Sequence, residues 1–279
     1  MPQSAIRNPL TVFALLSLSL LTGCSTMTNK EVGQIDFNYS VPQQEKDTGK
    51  TIIVVAPAMS QSQAAQQPAY NNNPLLMMAM AQQPQPVDFN AIFSQSYQGQ
   101  LVSALQNTFN EIISKRGFRT TTFSSSDDMT YTDKKSSYLA STPKLNLNIM
   151  KKTTKHECDS GFCTEEGVIQ ISGEMNVSFI EPLTQQAFVN KRINLSDLNI
   201  SKSYIKQADH PGSGGSGIVG LISAVAKPDV YQDNTDKALV DALNEFYKKS
   251  SEKIAAFISR EELLSFERDI NNVRESKRF

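Results

Sequence analysis

The sequence predicts an α+β fold, with an antiparallel sheet of about four to five strands packed against long amphipathic helices and a C-terminal helical pair. Three observations predict it. Apolar residues recur on one helical face over 89–113 and again over 239–258. They alternate with polar ones over 145–149, 169–179 and 189–195. A compact β-branched run, Thr51-Ile52-Ile53-Val54-Val55, has the composition of a buried strand.

The first residues are a targeting segment. Arg7 precedes an apolar run over 10–21 that is too short to span a bilayer as a mature helix, which fits a signal peptide over 1–23. Leu21-Thr22-Gly23-Cys24 then resembles the lipobox at which bacterial lipoproteins are acylated and cut, the other reading being an ordinary secretory signal with a chance cysteine. Palmitate-type chains on Cys24, each buried methylene contributing about 0.8 kcal/mol, would hold the protein on a membrane without any protein helix in it. Ser25, where an aspartate would stand in enteric retention signals, favours the outer membrane by the same resemblance.

Residues 24–50 read as a tether and lead-in, and residues 51–279 as a single α+β domain with enough surface for one large core. After the 51–55 strand the composition turns to Gln, Asn and Pro, so 56–87 reads as a flexible low-complexity insertion. Its apolar island Leu75-Leu76-Met77-Met78-Ala79-Met80 suits either a contact site or an adaptable patch tucked against the body. A long amphipathic helix begins at Asp88 and ends at Gly117, followed by a threonine-rich strand over 118–123. Three alternating strands come next. Gly212-Ser213-Gly214-Gly215-Ser216-Gly217 lacks the Lys-Ser/Thr of a P-loop and reads as a flexible turn before a short apolar helix over 218–225. Leu239, Ala242, Leu243, Phe246, Ile254, Phe257 and Ile258 mark another long helix, and Ser259-Arg260-Glu261-Glu262 has the spacing of a capping box opening a terminal one.

Charge and chemistry narrow the function classes. Without residues 1–23 the chain carries 26 basic and 28 acidic side chains, so no global field points to nucleic acid. Its two histidines, His156 and His210, fall on predicted loops with no motif around them, and Asp127-Asp128 and Glu165-Glu166 are adjacent pairs on polar segments. An enzyme is not expected, nor is a cofactor or a metal. Cys158 and Cys163 flank a short turn between extended segments of an exported chain, where a disulfide closing a hairpin tip is expected. A zinc site would need ligands beyond His156, and the spacing is not that of a redox Cys-x-x-Cys pair. The closing run 274–278 suits either lipid headgroups or a solvated end.

The lipobox is followed in order by an early strand, a long helix, Glu166-Gly167-Val168 running into Val177-Ser178-Phe179-Ile180-Glu181-Pro182, and Asn194-Leu195-Ser196-Asp197-Leu198. Ala238-Leu239-Val240-Asp241-Ala242-Leu243-Asn244 and Leu263-Leu264-Ser265-Phe266-Glu267-Arg268-Asp269 extend the series to the C-terminal part. This order of segments resembles the neuraminyllactose-binding hemagglutinin family, the Helicobacter adhesin family of lipoproteins. The resemblance implies an outer-membrane or flagellar-sheath lipoprotein that binds sialylated host glycans. It places the sugar at a lysine-rich segment whose counterparts here are Lys151, Lys152 and Thr153, with Lys152 standing where the family pattern has arginine, and Lys155 completes a compact basic patch of three ammonium groups beside them. In a regular strand Lys151, Thr153 and Lys155 share one face and Lys152 the other. The competing expectation is a structural or scaffolding envelope lipoprotein that holds a protein partner and no sugar.

Overall fold

The structure is a computed structural model that describes residues 27–41, 44–61, 87–158, 162–209 and 230–277. The expected signal peptide over 1–23, Cys24, the apolar island at 75–80, the glycine-rich segment 212–217 and the helix expected over 218–225 lie outside the described residues. In chain order the strands are β1 (Met27–Lys30), β2 (Thr51–Val55), β3 (Ala58–Gln61), β4 (Arg119–Phe123), β5 (Leu139–Ser141), β6 (Lys144–Cys158), β7 (Phe162–Ile180), β8 (Ala187–Asn194), β9 (Ser201–Asp209) and β10 (Val230–Asp233). The helices are α1 (Phe89–Ser96), α2 (Gln98–Lys115), α3 (Tyr131–Ser136), α4 (Thr235–Phe257), α5 (Arg260–Ser265) and α6 (Glu267–Ser276).

Among the described residues these ten strands form one curled, mixed sheet, which overturns the expected antiparallel sheet of four to five strands. Its main path runs β1-β10-β9-β7-β5-β2-β4, with β6 and β8 also on β7 and β3 on β6. Four pairings are parallel: β1 with β10, β2 with β4, β2 with β5, and β3 with β6. Connectivity is the reason. Parallel neighbours need a crossover, and α1 and α2 supply it between β2 and β4. Alternation records which face of a strand is buried and says nothing about the direction of its neighbour.

The β-branched run of β2 is buried on both faces. Ile52 and Val54 join the main core, while Ile53 and Val55 meet Met129, Ala140 and Ile180 in a smaller cluster on the other side. This is the pattern of a central strand in a parallel arrangement. In the stretch expected to be a flexible insertion, Ala58–Gln61 instead forms β3 and pairs in register with β6 from Lys144 to Leu147. Where β3 ends, Asn90 takes over: its Nδ2 donates to the Ile149 carbonyl at 3.0 Å and its Oδ1 accepts from the Ile149 amide at 3.2 Å.

The helix expected from Asp88 is two helices. Asp88 caps the first by accepting from the amides of Asn90 and Ala91, and the chain breaks at Tyr97, whose hydroxyl bonds Asp236 of α4. Phe89, Phe93, Leu101, Leu105, Phe109, Ile112 and Ile113 then enter a main core with Leu239, Leu243, Phe246 and Ile254 of α4 and the inner residues of β6, β7 and β8. Full burial of each such side chain contributes on the order of 1.5–3 kcal/mol. Ser259 caps α5, accepting from the Glu262 amide at 3.3 Å, and Phe266 separates α5 from α6.

Between β1 and β2 the described residues lie against α4 and α2. The Gly33 amide donates to Asp236 Oδ2 at 3.0 Å, the Asp36 amide to Asn244 Oδ1 at 2.8 Å, and Asn244 Nδ2 to the Gln34 carbonyl at 2.8 Å. Farther on, Glu45 pairs with Arg116 at 2.9 Å and the Thr48 amide bonds the Gly117 carbonyl at 2.8 Å.

Candidate functional site

The lysine-rich segment lies on the outer half of β6, in a ribbon made with β7 and β9. Register across the ribbon is regular from Lys144 opposite Asn176 to Thr153 opposite Gly167, then slips by one, so that Lys155 faces Glu166 and His156 faces Glu165. Thr154 is the extra residue of this β-bulge, and its hydroxyl donates to the Glu166 carbonyl at 3.2 Å. The bulge changes which side chains share a face. Lys151 and Thr153 keep the phase of Leu147 and Ile149 and point to the helix side, whereas Lys152 and Lys155 both point away from it. The expectation that Lys151, Thr153 and Lys155 share a face therefore fails at Thr154, because an unpaired residue reverses the alternation beyond it.

On the helix side Lys151 is already engaged. Its Nζ lies 2.9 Å from Glu165 Oε1, and the Tyr204 hydroxyl donates to the same oxygen at 2.6 Å. Burial pushes the Glu165 carboxyl up, but the hydrogen bonds from Tyr204 and Lys151 outweigh it and hold the carboxyl below its ordinary value. Burial, reinforced by the bond to Glu165, pushes the Tyr204 phenol up. Gly167 makes room for this arrangement: a Cβ there would meet the Lys152 carbonyl at 2.6 Å and the Tyr204 ring at 2.8 Å. Sequence reading missed Glu165, Gly167 and Tyr204 as partners, since the trio comes together only when β9 is laid beside β7.

On the other side, Lys155 pairs with Glu157 at 3.1 Å, both largely exposed, and that hydrogen-bonded carboxylate holds the ammonium above its ordinary value. Lys152 has no ion-pair partner among the described residues. A shallow groove of about 550 Å³ opens here, lined by Lys155, Glu157, Cys158, Phe162, Thr164, Glu166 and Gln207. The ribbon is closed at its end by the expected disulfide: Cys158 and Cys163 are directly paired, with an S–S distance of 2.00 Å. Among the described residues no cluster of three or more His, Cys, Asp or Glu is placed to hold a metal, and no helix is long and apolar enough to cross a membrane.

Comparison with known proteins agrees with the order of segments. A solved structure of a neuraminyllactose-binding hemagglutinin homolog from Helicobacter pylori superposes with a TM-score of 0.52 at 15% identity, covering 84% of this chain and 99% of that one, a likeness of fold. A Helicobacter pylori neuraminyllactose-binding hemagglutinin is 26% identical over 177 residues, 59% of this chain and 64% of that relative. A second from another strain is 26% identical over 180 residues, 60% of this chain and 65% of the relative. The chain thus spans just under two thirds of the length of these relatives. The family model described as neuraminyllactose-binding hemagglutinin precursor matches residues 65–277, beginning inside the stretch that the sequence reading set apart as an insertion. With three quarters of its length under that match, the chain belongs to the neuraminyllactose-binding hemagglutinin family.

Proposed function

We propose that this chain is a lipoprotein of the outer membrane or flagellar sheath, anchored through lipid on Cys24, that binds sialylated host glycans on the outward face of the β6–β7–β9 ribbon. The observation that carries the site is the bulge at Thr154, which sets Lys152 and Lys155 on one face beside a groove that also offers Thr164, Gln207 and the Phe162 ring. Lys152, free of a carboxylate partner among the described residues, takes the sialate carboxylate, while Thr164 and Gln207 meet sugar hydroxyls. Lys151 orients the ribbon through Glu165 and does not reach this face, and Thr153 lines the same inner side. An exposed ion pair contributes roughly 0.2–1 kcal/mol, so the affinity is modest and salt-sensitive.

A second reading, an envelope scaffold that holds a protein partner and no sugar, has its own support. Glu157 and Glu166 line the groove and repel an anion. Beyond Leu147 the outer edge of β6 has no strand partner among the described residues, and lysines along such an edge discourage strand addition. Calorimetric titration of the folded domain with sialyllactose and with lactose separates the two. Sialyllactose should bind, lactose several-fold more weakly, and Lys152→Ala/Lys155→Ala should bring the two sugars level. No binding by the wild-type domain favours the scaffold, and unchanged binding by the double variant moves the site elsewhere on the chain.

A further inference from the structure

Chain connectivity and register together determine which end of the sheet lies near Cys24. β1 begins at Met27, three residues after Cys24, with Met27 beside Val230 of β10. β10 is antiparallel to β9 with Asp233 opposite Lys206, and that register, carried three residues on along both strands, would set Val230 level with Asp209. Asp209 in turn stands opposite Phe162 of β7. Met27, Val230, Asp209 and Phe162 therefore form one row across the sheet, at the end where Cys158 and Cys163 are bonded. Side chains agree with that register. The Gln232 amide donates to Gln207 Oε1 at 3.1 Å, and the Phe162 and Tyr231 rings are 6.2 Å apart.

Little slack separates this row from Cys24. β1 is paired along its whole length, the Glu31 amide bonds the Asp233 carbonyl at 2.8 Å, and the Gly33 amide is held by Asp236. Three residues reach at most ~11 Å and three strand spacings add about 14 Å, so the Phe162 backbone lies within about 25 Å of the Cys24 backbone. The other end of β7 is far away: its 19 residues extend up to about 60 Å. There Ile180 pairs with Ala140 and the Glu181–Arg274 ion pair forms.

We propose that the disulfide end of the ribbon faces the membrane that holds the Cys24 lipid, with the groove of Lys155, Glu157 and Gln207 opening beside the phospholipid headgroups. This rests on the lipid-anchor part of the proposed function. The partner it names is the protein's own lipid surface. A host glycan must come close to that surface to use Lys152, whereas the α3 and Glu181 end stands outermost.

The chain contains no tryptophan, so a single introduced one reports its own distance from lipid. Full-length lipidated His156→Trp and Tyr131→Trp, both at exposed positions, are reconstituted into phospholipid vesicles carrying a headgroup nitroxide quencher. Thr154→Trp serves if His156→Trp does not fold. Flotation of the vesicles, with Cys24→Ser as control, reports the anchor separately. The expected result is that both variants float and that quenching is several-fold stronger at position 156 than at 131. A ten-residue Gly-Ser insertion before Met27 should then abolish the difference while flotation persists. Flotation with equal quenching, or stronger quenching at 131, overturns the orientation and leaves the anchor standing. Failure of the lipidated chain to float, or flotation of Cys24→Ser, overturns both.

Discussion

Replacing Arg274 with alanine should be among the most damaging single changes on α6. The helix packs on the body through Ile270 and, one turn later, Arg274. Arg274 Nε and Nη2 lie 2.8 and 2.7 Å from Glu181 Oε1, and Nη2 also donates to the Ser137 carbonyl at 2.6 Å. Glu181 is fully buried at the turn after β7, whereas the Arg274 side chain keeps 22% of its exposure. Removing one partner of a buried pair costs about 3–5 kcal/mol because the other charge stays buried and uncompensated. Arg274→Ala leaves the carboxylate without its counter-charge, with the Thr184 amide at 2.6 Å, the Thr184 hydroxyl and the Leu183 amide as its remaining donors. Glu181→Ala leaves a guanidinium that can still reach water and Ser137, so its cost should sit nearer 2 kcal/mol. The double variant should cost much less than the two singles together.

The pH dependence has a definite sign. Burial raises the Glu181 carboxyl, but the Thr184 and Arg274 hydrogen bonds outweigh it and hold it below its ordinary 4.5. Its contribution is therefore complete above that value and is lost as pH falls through the depressed folded value. Urea unfolding of the soluble domain at pH 7 and pH 3 is the assay. The Arg274→Ala penalty should be large at the first and shrink at the second. A penalty under about 1 kcal/mol at pH 7, or additive single effects, refutes the buried-pair account.

Gly167→Ala should destabilise by about 1–3 kcal/mol, since its Cβ drives into the Tyr204 ring and the Lys152 carbonyl; loss of the Tyr204–Glu165 bond would show as a lower phenol pKa by ultraviolet titration. Cys158→Ser/Cys163→Ser should cost about 2 kcal/mol or less, because the closed loop is short, and free-thiol labelling of the unreduced wild-type protein should find neither cysteine.

What was legible in the sequence follows from which interactions leave a period. β2, β6, β7, β8 and the two helical stretches bury apolar stripes, so their residues recur at two or 3.6. β9 does not. Its inward positions include Lys202, paired with Glu245 at 2.8 Å, Tyr204, bonded to Glu165, and Lys206, opposite Glu165, so a polar string hides a strand that pairs with half of β7. β5 has three residues and β1, β3 and β10 four each, too few for alternation to show. The parallel pairings were invisible for the reason already given, and with them the mixed character of the sheet. At the candidate site the disulfide and the lysine run could be named from sequence. The bulge at Thr154 could not, because an extra residue changes register without changing composition.

The central claim is that this member of the family is displayed where host glycans can reach it. Intact cells producing the full-length chain can be labelled with an antibody raised against the folded domain, then labelled again after outer-membrane permeabilisation. Strong signal on intact cells that permeabilisation raises little, and that protease shaving removes, is the outcome predicted. Signal that appears only after permeabilisation would place the protein in the periplasm and contradict the adhesin account.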